Sequence, residues 1–476
     1  MSQTRREFLR STGCAALGTG LLAAGIQEFG LVRAFADTNA TDYKALVCIF
    51  MSGGNDGNNT VVPVDSTRFA QYTGARSAAG LALPAPGQPN GLLPINPASG
   101  GQYGLHPSLV EIQSLFGQGK AAVICNTGPL VEPLTKATYQ NGTGKKPLQL
   151  FSHSDQVGQW MSSVSNDNSQ TGWGGRTADR AAALNGAATF PQMISIAGVN
   201  LFVTGQSTRP LAIGDSNTPL ASVLPLNNAV NADGLTFTSA QNTARRTAFD
   251  QIRALVSTDT LPKAAADITT SALQTSAALG SANPTIATVF PNTSVGRQLL
   301  QIARLVALRD TLSMKRQIFF VSVGGFDTHN NQTAANSQAS LLQQISQAVN
   351  AFYNATVELG VQNNVTTFTL SDFGRTFQPA GAGAAVGSDH AWGNHHFIVG
   401  GAVRGGDLYG TYPTLVMGGA DDTDAGSNPR GRWIPTTSVE QYAATLATWY
   451  GLSASDLPLV FPFIGRFNSP NLGFMF

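Results

Sequence analysis

The stretch Gly324-Gly325-Phe326-Asp327-Thr328-His329-Asn330-Asn331-Gln332 follows the apolar run QIFFVSV and sets a carboxylate and an imidazole two residues apart. Similar polar sets recur along the chain. Asp372 and Arg375 stand in SDFGR after VTTFTL, Asp389 and His390 open SDHAWGNHH, and Asp56 lies in GGNDG after ALVCIF. Four of the six histidines, His329, His390, His395 and His396, fall in two of these short loops. Carboxylate oxygens with imidazole nitrogens suit a borderline divalent cation, Zn2+ or Mn2+, and a site richer in oxygens admits Ca2+. Asp56, Asp327, His329, Asp372, Asp389 and His390 are the candidate ligands. Each has a plainer reading beside it. An Asp ahead of a short polar residue caps turns, and His395-His396 begins an apolar run in which an imidazole can simply pack.

Ligands converge only if the chain carries their loops to one place. The apolar runs at 45–50, 121–125, 317–323 and in VTTFTL have strand character. Between them lie helical patterns. HPSLVEIQSLFGQGK sets Leu109, Ile112 and Leu115 on one face; SVGRQLLQIARLVALRD does so with Val295, Leu299, Ile302 and Val306; ASLLQQISQAVNAFYNATVELG does so with Leu342, Ile345, Val349 and Phe352. Helices alternating with fully apolar strands predict an α/β fold with a mostly parallel sheet covered on both faces. In such a sheet ligands bind beyond the carboxyl ends of the strands, and the polar loops fall there. Residues 81–105 read as a Pro/Gly-rich surface loop. Residues 200–290, rich in Ala, Ser, Thr and Asn, read as an insertion or cap on a single domain spanning 37–476.

Composition narrows the function classes. With 12% charged residues, 42% hydrophobic and 51 Gly, the chain is too apolar for disorder and suits a globular protein with long uncharged loops. Residues 1–36 hold Arg5-Arg6, then Phe8-Leu9, a mildly apolar Gly/Ala/Leu region, and Ala34 and Ala36 at a small-x-small site. That is the pattern of a twin-arginine export signal. The twin-arginine export machinery is then a partner, and the mature protein is expected folded in the periplasm or outside the cell. The whole chain is formally +1, and residues 1–36 carry four Arg and two Glu, which leaves the remainder at −1. Such a surface gives no reason to expect nucleic acid, and no later run reaches the ~18 apolar residues of a membrane span. Cys48 and Cys125, both in strand-like runs, are expected as buried thiols or as one disulfide.

GGNDGNNTVVP, HPSL…GK, FSHSDQ…W, GFDTHNNQ, SDFGRT and SDH…GG, with the twin-arginine start, resemble the secreted "domain of unknown function 1501" family over essentially the whole mature chain. That family is similar in turn to the alkaline phosphatase and sulfatase superfamily. The resemblance implies an alkaline phosphatase-like three-layer α/β/α sandwich with metal at the carboxyl edge of the sheet. It implies Asp56, Asp327, His329, Asp372 and His390 as ligands, Asp389 as an extra one, and Ser152 as nucleophile, with Ser154 its rival. The pattern departs at Phe373, where the superfamily places a histidine ligand, and at FSHSDQ, which lacks the Cys/Ser-x-Pro-x-Arg signature.

Two functions fit. One is an exported metal-dependent hydrolase of phosphate or sulfate esters. Ser152 attacks, Arg375 or His153 contacts the anion, and the substrate is an unidentified small molecule or polymer. The alternative is a non-catalytic exported binding or assembly protein on a degenerate phosphatase-like fold; a metal that only staples the loops is a third reading.

Overall fold

A computed structural model describes residues 42–220, 260–279 and 284–476, with isolated positions between 240 and 251. The expected export signal, and much of the expected insertion, lie outside the described residues.

Twelve strands are present among them: β1 (Lys44–Met51), β2 (Val61–Pro63), β3 (Leu93–Ile95), β4 (Tyr103–Leu105), β5 (Ala121–Gly128), β6 (Met193–Ser195), β7 (Leu211–Ala212), β8 (Arg316–Val323), β9 (Val365–Ser371), β10 (Asn394–Gly400), β11 (Leu408–Tyr409) and β12 (Thr437–Ser438). Nine form one sheet in the order β11-β5-β10-β9-β1-β8-β6-β7, with β12 also on β5. β1 sits in the middle, parallel to both β8 and β9. Its alternate residues face two separate cores. Ala45, Val47, Ile49 and Met51 pack on one side with Leu299, Ile302, Leu342 and Ile345. Leu46, Cys48 and Phe50 pack on the other with Trp160, Trp173, Tyr442 and Leu446. Both faces of the strand are thereby buried, which is why its sequence is continuously apolar. The helices Ser294–Ala307 and Gln338–Glu358 cover the first face; Trp173–Ala181 and Val439–Tyr450 cover the second. The molecule is the expected three-layer α/β/α arrangement with a mixed, mostly parallel sheet.

Two features were not legible. β10 runs antiparallel to both of its neighbours, β5 and β9. Its beginning, not its end, therefore lies at the carboxyl edge, and this brings the loop before it, with Asp389 and His390, to the loops after β1, β8 and β9. The supposed 81–105 surface loop instead contributes β3 and β4, which complete a small antiparallel sheet with β2. Cys48 and Cys125 are buried free thiols, and burial pushes both up.

Candidate functional site

His153, Asp327, His329 and His390 meet at that edge, each offering one ligand atom, and these atoms all lie within 4.8 Å of one another. Asp327 and His329 come from the loop after β8, His390 from the loop before β10, and His153 is the first residue of the helix His153–Ser162. The Asp327 Oδ1 is 3.5 Å from the Nε2 of His153, 3.5 Å from that of His329 and 3.9 Å from that of His390. The other nitrogen of each ring is tied down: His153 Nδ1 to Asp372 Oδ2 at 2.7 Å, His329 Nδ1 to Asp389 Oδ1 at 2.9 Å, and His390 Nδ1 to the Phe151 carbonyl at 2.7 Å. A carboxylate or carbonyl oxygen can only accept, so Nδ1 carries the proton in each neutral ring and Nε2 is left as a lone pair.

These lone pairs test whether a metal fits. His329 Nε2 and His390 Nε2 stand 2.7 Å apart. Two lone pairs at that distance repel unless a proton or a cation lies between them. His153 Nε2 is buried with no hydrogen-bond partner among the described residues. Buried polar atoms are rarely left so. Three imidazole nitrogens and one carboxylate oxygen, each imidazole with an anchored second nitrogen, form a donor set that can hold Zn2+ or Mn2+. The Ca2+ admitted on the sequence fits poorly, because Ca2+ wants six to eight oxygens.

The anchors are themselves held. Asp372 is almost fully buried, and its Oδ1 accepts the Gly53 N–H at 2.9 Å. Gly53 has φ +114°, and a Cβ there would lie 2.3 Å from the Asp327 nitrogen, so no other residue fits this turn. Asp389 bonds Arg430 through its second oxygen. Phe151 holds its carbonyl on His390 from a left-handed backbone, φ 70°, which is uncommon for a bulky residue. Phe373 is fully buried, with its ring centroid 4.7 Å from that of His153 and 4.5 Å from that of His390. Phe373 thus walls the cluster on the side of His153 and His390.

Charge is balanced locally. Partial burial works to raise the Asp327 carboxyl, but the Arg375 guanidinium, 2.6 Å away, and the neighbouring imidazoles hold it below the usual carboxylate range. Asp389 is likewise held low, with Arg430 and His329 outweighing burial. Burial, with Arg375 and the other two rings nearby, depresses His390 and so favours its neutral form.

The structure brings together Asp327, His329 and His390 of the expected ligands, and redistributes the rest. Asp56 does not join them. It is 1% exposed and accepts from both Arg76 Nη1 (2.7 Å) and Nη2 (3.2 Å), from Gln332 Nε2 and from the Asn58 N–H. These four hydrogen bonds, two of them from the buried ion pair, occupy all of its capacity. Asp372 and Asp389 stand one bond behind the cluster and orient imidazoles. Arg375, expected to meet the substrate anion, has a guanidinium that is 0% exposed and donates to the carbonyls of Gly53, Gly54, Phe326 and Ser388 as well as to Asp327; it cannot reach a substrate. His153, expected as a substrate contact, lies among the ligand atoms. Ser152 sits at the N-terminus of the His153–Ser162 helix without a side-chain cap bond, its Oγ donating to Asp155 Oδ2 at 2.6 Å and lying 3.2 Å from Ser154 Oγ. His395 and His396 are core residues, pushed down to about 3 by burial. Sequence reasoning missed Gly53, Phe151 and Arg430. Gly53 left a signal, the paired glycine after a strand; Phe151 and Arg430 left none.

A family model described as "Protein of unknown function (DUF1501)" matches residues 43–425. No curated protein matches the chain. Among solved structures, the PsFucS1 sulfatase from Pseudoalteromonas sp. is 10% identical, with 77% of this chain and 64% of that one covered and a TM-score of 0.28. Ps i-CgsB, in complex with k-i-k-neocarrahexaose, is 9% identical, with 90% and 77% covered and a TM-score of 0.32. A protein of glycosaminoglycan metabolism from Bacteroides thetaiotaomicron is 11% identical, with 88% and 77% covered and a TM-score of 0.31. The chain thus spans just under two thirds of the first of these. At such scores the superpositions are loose, and the layered architecture rests on the strand order above.

Proposed function

The chain belongs to the DUF1501 family, whose function is unknown, and from that premise we propose that it is a metal-dependent hydrolase of phosphate or sulfate esters. The observation that carries the reading is the convergence of three Nε2 lone pairs and the Asp327 carboxylate, with His153 Nε2 buried and without a partner among the described residues. His153, Asp327, His329 and His390 would hold the ion. A bound divalent cation supplies positive charge where the transferred group gathers negative charge, an effect worth several kcal/mol.

The chain's own residues do the rest. Asp372, Asp389 and the Phe151 carbonyl fix the tautomer and the plane of each ring, so that the donors need not reorganise. Phe373 keeps water from one side of two imidazoles. Ser152 is the nucleophile in this reading. It lies between Phe151 and His153, both of which touch the cluster, and its hydroxyl proton already points at Asp155. With Arg375 buried, Arg430, bonded to Asp389, and Arg432, whose guanidinium lies 4.8 Å from the Phe151 ring centroid, are two cations near the rim that can meet a substrate anion.

The test is turnover of p-nitrophenyl phosphate and p-nitrophenyl sulfate by metal-loaded protein. The reading expects turnover with either ester, abolished in Asp327→Asn and lowered at least a hundredfold in Ser152→Ala. Full metal occupancy with no turnover on either ester would favour the binding or assembly protein instead.

A further inference from the structure

A cavity of about 490 Å3, apart from the four ligands, opens between the 81–84 segment, the end of β4 and the start of the helix Gln338–Glu358. Its size is that of a small-molecule site, about 300–1,000 Å3. We propose that it binds an uncharged, hydroxyl-rich ring, a neutral sugar unit. The proposal does not depend on the hydrolase reading.

The floor is rigid and polar. Asn59, Gln332 and Gln338 are each at least 96% buried, and their amides interlock around the buried Asp56–Arg76 pair. His106 is 5% exposed. Its Nδ1 accepts the Ser108 N–H at 3.1 Å, so Nε2 carries the proton and has no protein partner among the described residues. Burial holds the ring neutral, with a value of about 4. His106 therefore offers the cavity a neutral N–H donor. The 21-residue helix begins at the cavity: its N-cap, Ser337, makes no side-chain cap bond, and the first-turn residues Gln338 and Ala339 are part of the lining.

These donors call for an oxygen-rich ligand, yet the charge argues against an anion. Among the described residues no lysine or arginine lines the cavity, while Glu111 does, with Oε2 accepting from Ser346 Oγ and Oε1 left over. Hydroxyl groups satisfy both sides, accepting from His106 and donating to Glu111. Leu81, Leu83 and Pro84 supply an apolar wall for the face of a ring.

The cavity is linked to the metal loops. Gln332 Oε1 accepts from Ser388 Oγ at 2.6 Å and Thr328 Oγ1 at 3.3 Å, the residues next to Asp389 and His329. An occupant resting on Gln332 thus touches the side chain that joins the two loops.

The experiment is calorimetric titration of the folded protein with D-glucose, D-galactose and N-acetylglucosamine, with inorganic sulfate and phosphate as anionic probes. Ala339→Trp, at a half-buried position, fills the cavity without touching the core, and Glu111→Gln removes the carboxylate. The expected result is saturable binding of at least one sugar, on the order of 1–10 mM. It should weaken at least tenfold in Ala339→Trp and measurably in Glu111→Gln, with metal content unchanged in both. No saturable sugar binding, or binding unaltered in Ala339→Trp, overturns the proposal. Sulfate or phosphate binding that Ala339→Trp abolishes, without sugar binding, overturns the ligand class. None of these outcomes bears on the ester test.

Discussion

Each imidazole of the cluster has a different anchor, and the anchors set what each variant should do. Asp372 holds His153 and Asp389 holds His329, both through carboxylates that do not touch the central point. Outer partners of this kind typically contribute 10–100-fold in metal affinity. Asp372→Asn and Asp389→Asn should each weaken metal binding by about that factor in chelator competition, with the fold retained; loss equal to that of Asp327→Asn would mean that they are ligands themselves. Asp56→Asn acts differently. It leaves Arg76 buried without its counter-charge, and breaking a buried pair in this way costs about 3–5 kcal/mol. Denaturant unfolding should register that loss. A second buried carboxylate, Glu440, is not one of the cluster's four residues. Glu440 is 1% exposed, Oε1 accepts the Phe463 N–H, and Oε2 has no partner among the described residues. Burial, partly offset by that N–H and by Arg176, pushes its carboxyl up to about 8. Between about 4.5 and 8 the folded chain keeps a proton that the unfolded chain has released, so this residue's contribution to stability declines as pH rises through that window. Glu440→Gln should therefore raise the melting temperature relative to wild type at pH 8 and much less at pH 4. An equal shift at both would contradict the assignment.

At the scale of elements, the sheet edge does the positioning, and part of it could be read in advance. The strands that became β1, β5, β8 and β9 announce themselves as unbroken apolar runs, and the loops after them were visible as the place for chemistry. The direction of β10 was not visible, because an apolar run reads the same for a parallel or an antiparallel neighbour. Nor could spacing distinguish a ligand from its anchor. Asp372 and Asp389 have the residue type of a ligand, and which atom faces the centre depends on a single torsion. The role of Asp56 is hidden for a related reason: its partner Arg76 lies 20 residues on, in a helix with no sign of that pairing. Gly53 fixes the turn after β1 against the Asp327 loop. With φ +114° and backbone 2.3 Å from where a Cβ would stand, Gly53→Ala must move the β1 or the β8 loop. It should cost metal affinity as well as stability, roughly 1–3 kcal/mol of strain, read as a lower melting temperature of the metal-loaded protein.

At the scale of the whole molecule, the layered sheet supports the site by burying β1 on both faces, while every residue of the cluster lies in or beside loops at one edge. Such separation lets loops vary in chemistry over a constant core. Among the described residues no helix is long and apolar enough to cross a membrane. Export is the remaining expectation at this scale. Replacing Arg5 and Arg6 together by lysine should retain a reporter fusion inside the cell; unaltered export would remove the twin-arginine reading. Whether the four residues hold a metal is decided by elemental analysis of purified protein beside Asp327→Asn. About one equivalent of Zn2+ or Mn2+ per chain is expected in the wild type, with a large loss in the variant. Protein refolded or purified with either ion present that holds none of it, or an Asp327→Asn variant that keeps the full equivalent, would contradict it.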